Sequence, residues 1–145
     1  IKDLSESKNL ITTWGSSIFK NHISTIDSLV SERIKGAGAI IIGKTNTPEF
    51  GLGSHTYNPV NGITRNPYNL DKTAGGSSGG TAAALAANLL PVADGSDMMG
   101  SLRNPAAFNN VYGFRPTWGL VPNDADGVAY ACCLMKRLFN ARIIK

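Results

Sequence analysis

Thr73-Ala-Gly-Gly-Ser-Ser-Gly-Gly-Thr81, followed downstream by Asp97-Met-Met-Gly-Ser101-Leu-Arg-Asn-Pro-Ala106, decides the reading of this chain of 145 residues. Glycines on both sides of Ser77 and Ser78 let backbone amides and hydroxyls crowd together without Cβ clashes. A second serine-bearing turn arrives 24 residues later, from Ser77 to Ser101. A site assembled from hydroxyls and amides fits acyl transfer better than metal or redox chemistry.

Working outward, Thr81–Leu89 reads as an Ala/Leu helix leaving the glycine-rich turn. Leu90–Ala93 is a strand candidate, and Asn104–Asn109 a short helix just after Ser101. Upstream, residues 4–23 are polar and irregular, and Ile1–Asp3 read as the end of a strand. Ser24 or Thr25 is placed to cap a helix running to Lys35, with Ile26, Leu29, Val30 and Ile34 on one face and Gly36 as its C′ residue. The apolar run Ala39–Ile42 predicts a buried parallel strand, and Thr47-Pro48-Glu49 a short helix with proline first. Residues 52–74 read as one long loop rich in Asn, Pro and Gly; loops of that length are functional or held by neighbours. Helices separated by short apolar strands argue an α/β class.

Composition removes several function classes. The net charge of +4 is mild, and residues 125–145 carry +3 of it through Lys136, Arg137, Arg142 and Lys145 against Asp126. That is a solvated basic tail, not the clustered basic face of a nucleic-acid binder. Adjacent Cys132 and Cys133 make neither a zinc site nor an ordinary disulfide, so they read as free thiols in a reducing compartment, which points to the cytoplasm. No run approaches the ~20 apolar residues of a membrane-spanning helix, since Asn88 and Pro91 interrupt Ala82–Ala93. The tail Gly127–Lys145 has the pattern of an amphipathic helix.

The order and spacing of several motifs together resemble the amidase signature family of serine hydrolases. They are Lys2-Asp3, Thr12-Thr13-Trp14-Gly15-Ser16, Gly36-Ala37-Gly38-Ala39 through Gly43-Lys44-Thr45-Asn46, Thr64-Arg65-Asn66-Pro67-Tyr68, Gly75-Gly76-Ser77-Ser78-Gly79-Gly80, Gly100-Ser101-Leu102-Arg103 and Gly113-Phe114-Arg115-Pro116-Thr117. The resemblance reaches about Asp124, which divides the chain into a core, 1–124, and a divergent tail, 125–145. It implies a mixed twisted sheet sandwiched by helices. Members of the family are longer, so the chain looks like a fragment, incomplete in that fold. The implied reaction is hydrolysis of a carboxylic amide, or an ester, through an acyl-serine intermediate, with no metal or organic cofactor.

The resemblance assigns the residues. Ser101 matches the nucleophile, Ser77 the serine preceded by a cis peptide bond, and Lys2 the catalytic lysine. Lys44 matches a structural strand end instead. The amides of Met98, Met99, Gly100 and Ser101 are expected to form the oxyanion hole, with Asp97 and Arg103 as supports. Met99 departs from the small residue many members carry there and narrows the pocket. Ser78 reads as a cap for the Thr81 helix, and Arg65-Asn66-Pro67 as loop scaffolding.

The chemistry of these side chains is coherent. An alcohol attacks a carbonyl only when a base takes its proton, and His22 and His55 both lie in irregular polar stretches. A lysine serves as base when burial disfavours its charged form. A serine hydroxyl accepts from one neighbour while donating to the other, as a relay requires. Taken without the resemblance, Ser101 reads as a helix N-cap before Asn104-Pro105, and Lys2 as a surface lysine.

The expected partner is a small-molecule amide; a homo-oligomer is compatible with the sequence, and neither nucleic acid nor membrane is expected. Three alternatives stand beside this reading. One is an inactive relic or incomplete piece, whose unsecured Lys2 would leave the isolated chain with weak or no activity. Another is the amidotransferase A-type branch of the family, which passes ammonia to an acylated tRNA and needs partner subunits; the Asp97-Met-Met-Gly-Ser101 form looks less like it. The third is a phosphate-binding module built on Gly75–Gly80, which lacks the Gly-Lys-Ser/Thr ending of a P-loop.

Overall fold

A computed structural model describes residues 1–117, 120–121 and 132–136. Helix α1 spans Leu29–Gly36, α2 Gly79–Ala86 and α3 Arg103–Phe108. The strands are β1 Tyr57–Asn58, β2 Gly62–Ile63, β3 Arg65–Asn66, β4 Asn69–Thr73, β5 Val92–Ser96, β6 Tyr112–Gly113 and β7 Cys132–Lys136. β7 lies between β5 and β6 and pairs antiparallel with both. Lys2 forms a parallel bridge with Thr45, so the pairing is mixed. The result is an α/β fold, incomplete as expected.

Helix α2 is the keel of the site. Its inner face places Ala82 and Leu85 against Ala93 of β5 and against Leu102 and Ala106 at α3, all buried. Small residues keep this layer thin: a Cβ on Gly80 would fall 2.6 Å from the Asn46 carbonyl oxygen. That closeness also satisfies the helix end, because the first amides of a helix have no partner within it. Gly79 N donates to Thr56 Oγ1 at 3.0 Å and Gly80 N to the Asn46 carbonyl at 3.2 Å.

Several expectations change. α1 begins at Leu29, capped by Ser28, whose Oγ accepts from Ser31 N at 3.3 Å; Ser24 is instead buried and bonded to Thr12 Oγ1. The residue past α1 with left-handed backbone is Gly38, φ 84°, not Gly36, which is still helical. Ala39–Ile42 is no buried strand: it has no ladder partner among the described residues, and Ile40 and Ile42 are 87% and 74% exposed. The helix at Pro48 is one 3-10 turn, Glu49–Gly51, with Pro48 as its N-cap.

The long loop is two small hairpins, β1–β2 and β3–β4. Its polar residues hold it in place: Asn58 Nδ2 donates to the Thr47 carbonyl at 2.7 Å, and Asn66 Nδ2 to the Phe108 carbonyl at 2.7 Å. The strand expected at Leu90–Ala93 begins at Val92 and runs on through Asp94-Gly95-Ser96. Within the tail expected to be helical, Cys132–Lys136 is a strand; the rest of Gly127–Lys145 lies outside the described residues.

Candidate active site

Lys2 reaches the site from its bridge with Thr45. Asp3 N donates to the Thr45 carbonyl and Thr45 N to the Ile1 carbonyl, at 3.0 and 2.9 Å, which fixes the Lys2 backbone. Its side chain is 1% exposed and ends among three hydroxyls: Nζ lies 2.6 Å from Ser77 Oγ, 3.0 Å from Ser78 Oγ and 2.8 Å from Ser96 Oγ. The Gly76–Ser77 peptide is cis, as the resemblance implied. A Cβ on Gly76 would sit 2.9 Å from the His55 backbone nitrogen, so that turn admits only glycine's small size without a shift.

Ser78 does not use its side chain as a cap. It occupies the N-cap position of α2 without a capping hydrogen bond. Its Oγ donates to the Ser96 carbonyl and accepts from Ser96 N, both at 3.3 Å, which ties the glycine-rich turn to the end of β5. Thr56 and Asn46 have taken over the capping task, so the hydroxyl is free to face Lys2. Sequence reasoning missed Ser96. Its one signal is its place just before Asp97, and only the length of β5 turns it toward Lys2.

Ser101 enters through its main chain. Its carbonyl accepts from Ser78 N at 2.9 Å, which holds the two serine turns together, and its side chain is half-buried. Among the described residues no hydrogen bond joins the Ser77 and Ser101 hydroxyls.

Asp97 organises the second turn. Fully buried, it accepts from Gly100 N at 2.8 Å, Leu102 N at 3.3 Å and Arg103 N at 3.1 Å. Arg103 closes a fork on it, Nε to Oδ2 at 2.9 Å and Nη2 to Oδ1 at 3.0 Å. Desolvation pushes this carboxyl up, but the Arg103 fork and the backbone amides outweigh it and hold the pKa down at about 2. The Gly100 amide expected in the oxyanion hole is thereby turned inward to the carboxylate. Met98 and Met99 are exposed on the same turn, and their amides and that of Ser101 have no hydrogen-bond acceptor among the described residues.

Lys44 belongs to a separate group: it contacts the Ser5 carbonyl, donates to Thr12 Oγ1 at 3.2 Å and lies 3.6 Å from Asp3. Burial pushes its pKa down, against the pull of Asp3. His55 faces Thr73 and His22 faces Glu6, so neither lies at the hydroxyl cluster. Among the described residues no group of three His, Cys, Asp or Glu side chains is placed to hold a metal ion. A cavity of about 770 Å³ lined by Phe19, Lys20, His22 and Val60 contains none of the site residues.

The family model described as Amidase matches residues 1–134. The chain belongs to the amidase signature family. It is 48% identical over 134 residues to the A-type subunit of the glutamyl-tRNA(Gln) amidotransferase of Thermus thermophilus, covering 92% of this chain and 28% of that protein. It is 47% identical over 121 residues to the corresponding protein of Sulfurisphaera tokodaii, covering 83% of this chain and 26% of that one. Among solved structures, a bacterial aryl acylamidase superposes with a TM-score of 0.86 at 36% identity, covering 94% of this chain and 30% of that chain. A 6-aminohexanoate cyclic dimer hydrolase superposes with a TM-score of 0.85 at 38% identity, covering 94% and 30%. The chain thus spans about a quarter of the length of the curated relatives it matches, and similarity extends to both amidotransferase subunits and amide hydrolases.

Proposed function

We propose that this chain carries the nucleophile, relay and base of a carboxylic amide hydrolase. The observation that supports it best is the 2.6 Å contact between the buried Lys2 Nζ and Ser77 Oγ, on the turn whose next residue holds the Ser101 carbonyl. Neutral Lys2 offers two N–H donors and one lone pair, so a hydroxyl of the cluster can donate to it. Ser101 Oγ bonds to the substrate carbonyl carbon while its proton passes through Ser77 Oγ to Lys2 Nζ. The proton then returns along the relay to the leaving nitrogen as the C–N bond breaks. Water attacks the acyl-Ser101 carbonyl, giving one proton to the same relay; the relay returns it to Ser101 Oγ as the C–Oγ bond breaks and the carboxylic acid leaves. The amides of Met98, Met99 and Ser101 are the donors left to face the oxyanion.

A second reading is favoured by the curated relatives. In an A-type component of an amidotransferase, the site would use the same acyl-serine chemistry, and the ammonia would be passed to an acylated tRNA by a complex with partner subunits. The two separate on substrate: primary amide side chains such as glutamine's favour the second, anilides or linear secondary amides the first.

Covalent labelling with a fluorophosphonate probe, read by intact mass, tests the shared core of both. A single adduct present in the chain and absent in Ser101→Ala is expected. No adduct in either would mean that these residues do not assemble an activated serine and would favour the relic.

A further inference from the structure

The middle of β5 holds a buried carboxyl group, one residue on from Ala93, which packs against α2, and so on the opposite face of the strand. Asp94 is 4% exposed, and its Oδ1 accepts from the Lys2 backbone nitrogen at 2.5 Å. Two residues on, Ser96 presents its hydroxyl to Lys2 Nζ at 2.8 Å. One strand therefore grips both ends of the same lysine, by its main chain and by its amine. The other groups facing Asp94 are Lys44 and the Ile1 amine, the latter 4.0 Å away. Asp3 and Glu6 lie beyond them, beside Lys44.

We propose that Asp94 is a positioning residue for Lys2, fixing its backbone beneath the hydroxyl cluster and setting by its charge how readily the amine takes up a proton. This rests on the reading of Lys2 as the base. Burial raises the Asp94 pKa, opposed by the Ile1 amine, the Lys2 backbone amide and the charges of Lys2 and Lys44. The carboxyl therefore ionises later than an ordinary aspartate as pH rises. Once ionised it favours the Lys2 ammonium, by the reciprocity of two coupled titrations. Whenever it is ionised, its charge opposes the base form of Lys2.

The test is an NMR titration of lysine 13Cε signals in the full chain, with Lys2 identified by its loss in Lys2→Arg. Asp94→Asn keeps an oxygen acceptor for the Lys2 amide and removes the charge, so the Lys2 midpoint is expected to fall by about one pH unit or more. Asp94→Leu removes the acceptor as well, and the Lys2 signal is expected to broaden or move toward the value of a solvated lysine while the other signals keep their native dispersion. An unmoved midpoint in Asp94→Asn, or a native Lys2 signal in folded Asp94→Leu, overturns the proposal. Neither readout needs turnover. Failure of the base reading shows separately, as amide turnover that survives Lys2→Ala.

Discussion

Two carboxylates near the site, Asp94 and Asp97, sit three residues apart and are shifted in opposite directions. The difference is one of partners. Asp97 gathers a guanidinium fork and three backbone amides, whereas the only hydrogen bond described for the Asp94 carboxyl comes from one amide. Because the Asp97 pKa is depressed to about 2 in the folded state, its stabilising contribution is complete above the unfolded value near 3.8 and is lost as pH falls through 2. Asp97→Asn is expected to flatten acid unfolding between pH 4 and 2 and to lower stability at pH 7 by roughly 2 kcal/mol, measured by urea midpoints across that range. Lys2→Ala is expected to reduce any amide turnover of the full enzyme by at least ~10²-fold, measured as kcat/KM. A residue's type at these positions was legible in sequence. The inward turn of the Gly100 amide was not, because a hydrogen-bond direction depends on where the Asp97 carboxylate comes to lie.

At the scale of elements, α2 with its glycine-rich entry and α3 were legible, and the strand at Leu90–Ala93 in part, whereas the two-residue hairpin strands were not. An Ala-rich run after clustered glycines has a strong local preference for helix, summed over its length. Strands of two residues, such as β1 and β2, exist only through their partners, and no local pattern encodes them. Asp94-Gly95-Ser96 is the clearest case: its residues favour a turn, and pairing with β7 together with the Lys2 amide overrides that preference. The entry to α2 depends on the absence of side chains. Gly80→Ala would press a methyl group against the Asn46 backbone, a neighbour that cannot rotate away. It is expected to cost about 1–3 kcal/mol, measured by urea unfolding, and to slow fluorophosphonate labelling of Ser101, because α2 carries Ser78 at its start.

At the scale of the molecule, the described buried core is small: Ala82, Leu85, Ala93, Leu102 and Ala106. Leu85→Ala is therefore expected to cost about 2–5 kcal/mol, a large share of any domain's stability, read as a fall in the urea midpoint. Many large apolar side chains lie outside that core, Ile40 and Ile42 among them. Among the described residues no helix is long and apolar enough to cross a membrane. The sequence by itself determined the family and the α/β class, because several motifs in a fixed order and spacing together make a restrictive pattern; the roles of Lys2, Ser77 and Ser101 are what that resemblance implies. Only the tertiary structure decided that Ser78 and Ser96 join Ser77 around the lysine, that Gly100 serves Asp97, and that a buried carboxyl holds the Lys2 backbone. The contacts to Lys2 join positions as far as 94 residues apart, and a contact of that kind is set by how strands and helices stack, not by any stretch of chain that could be read alone.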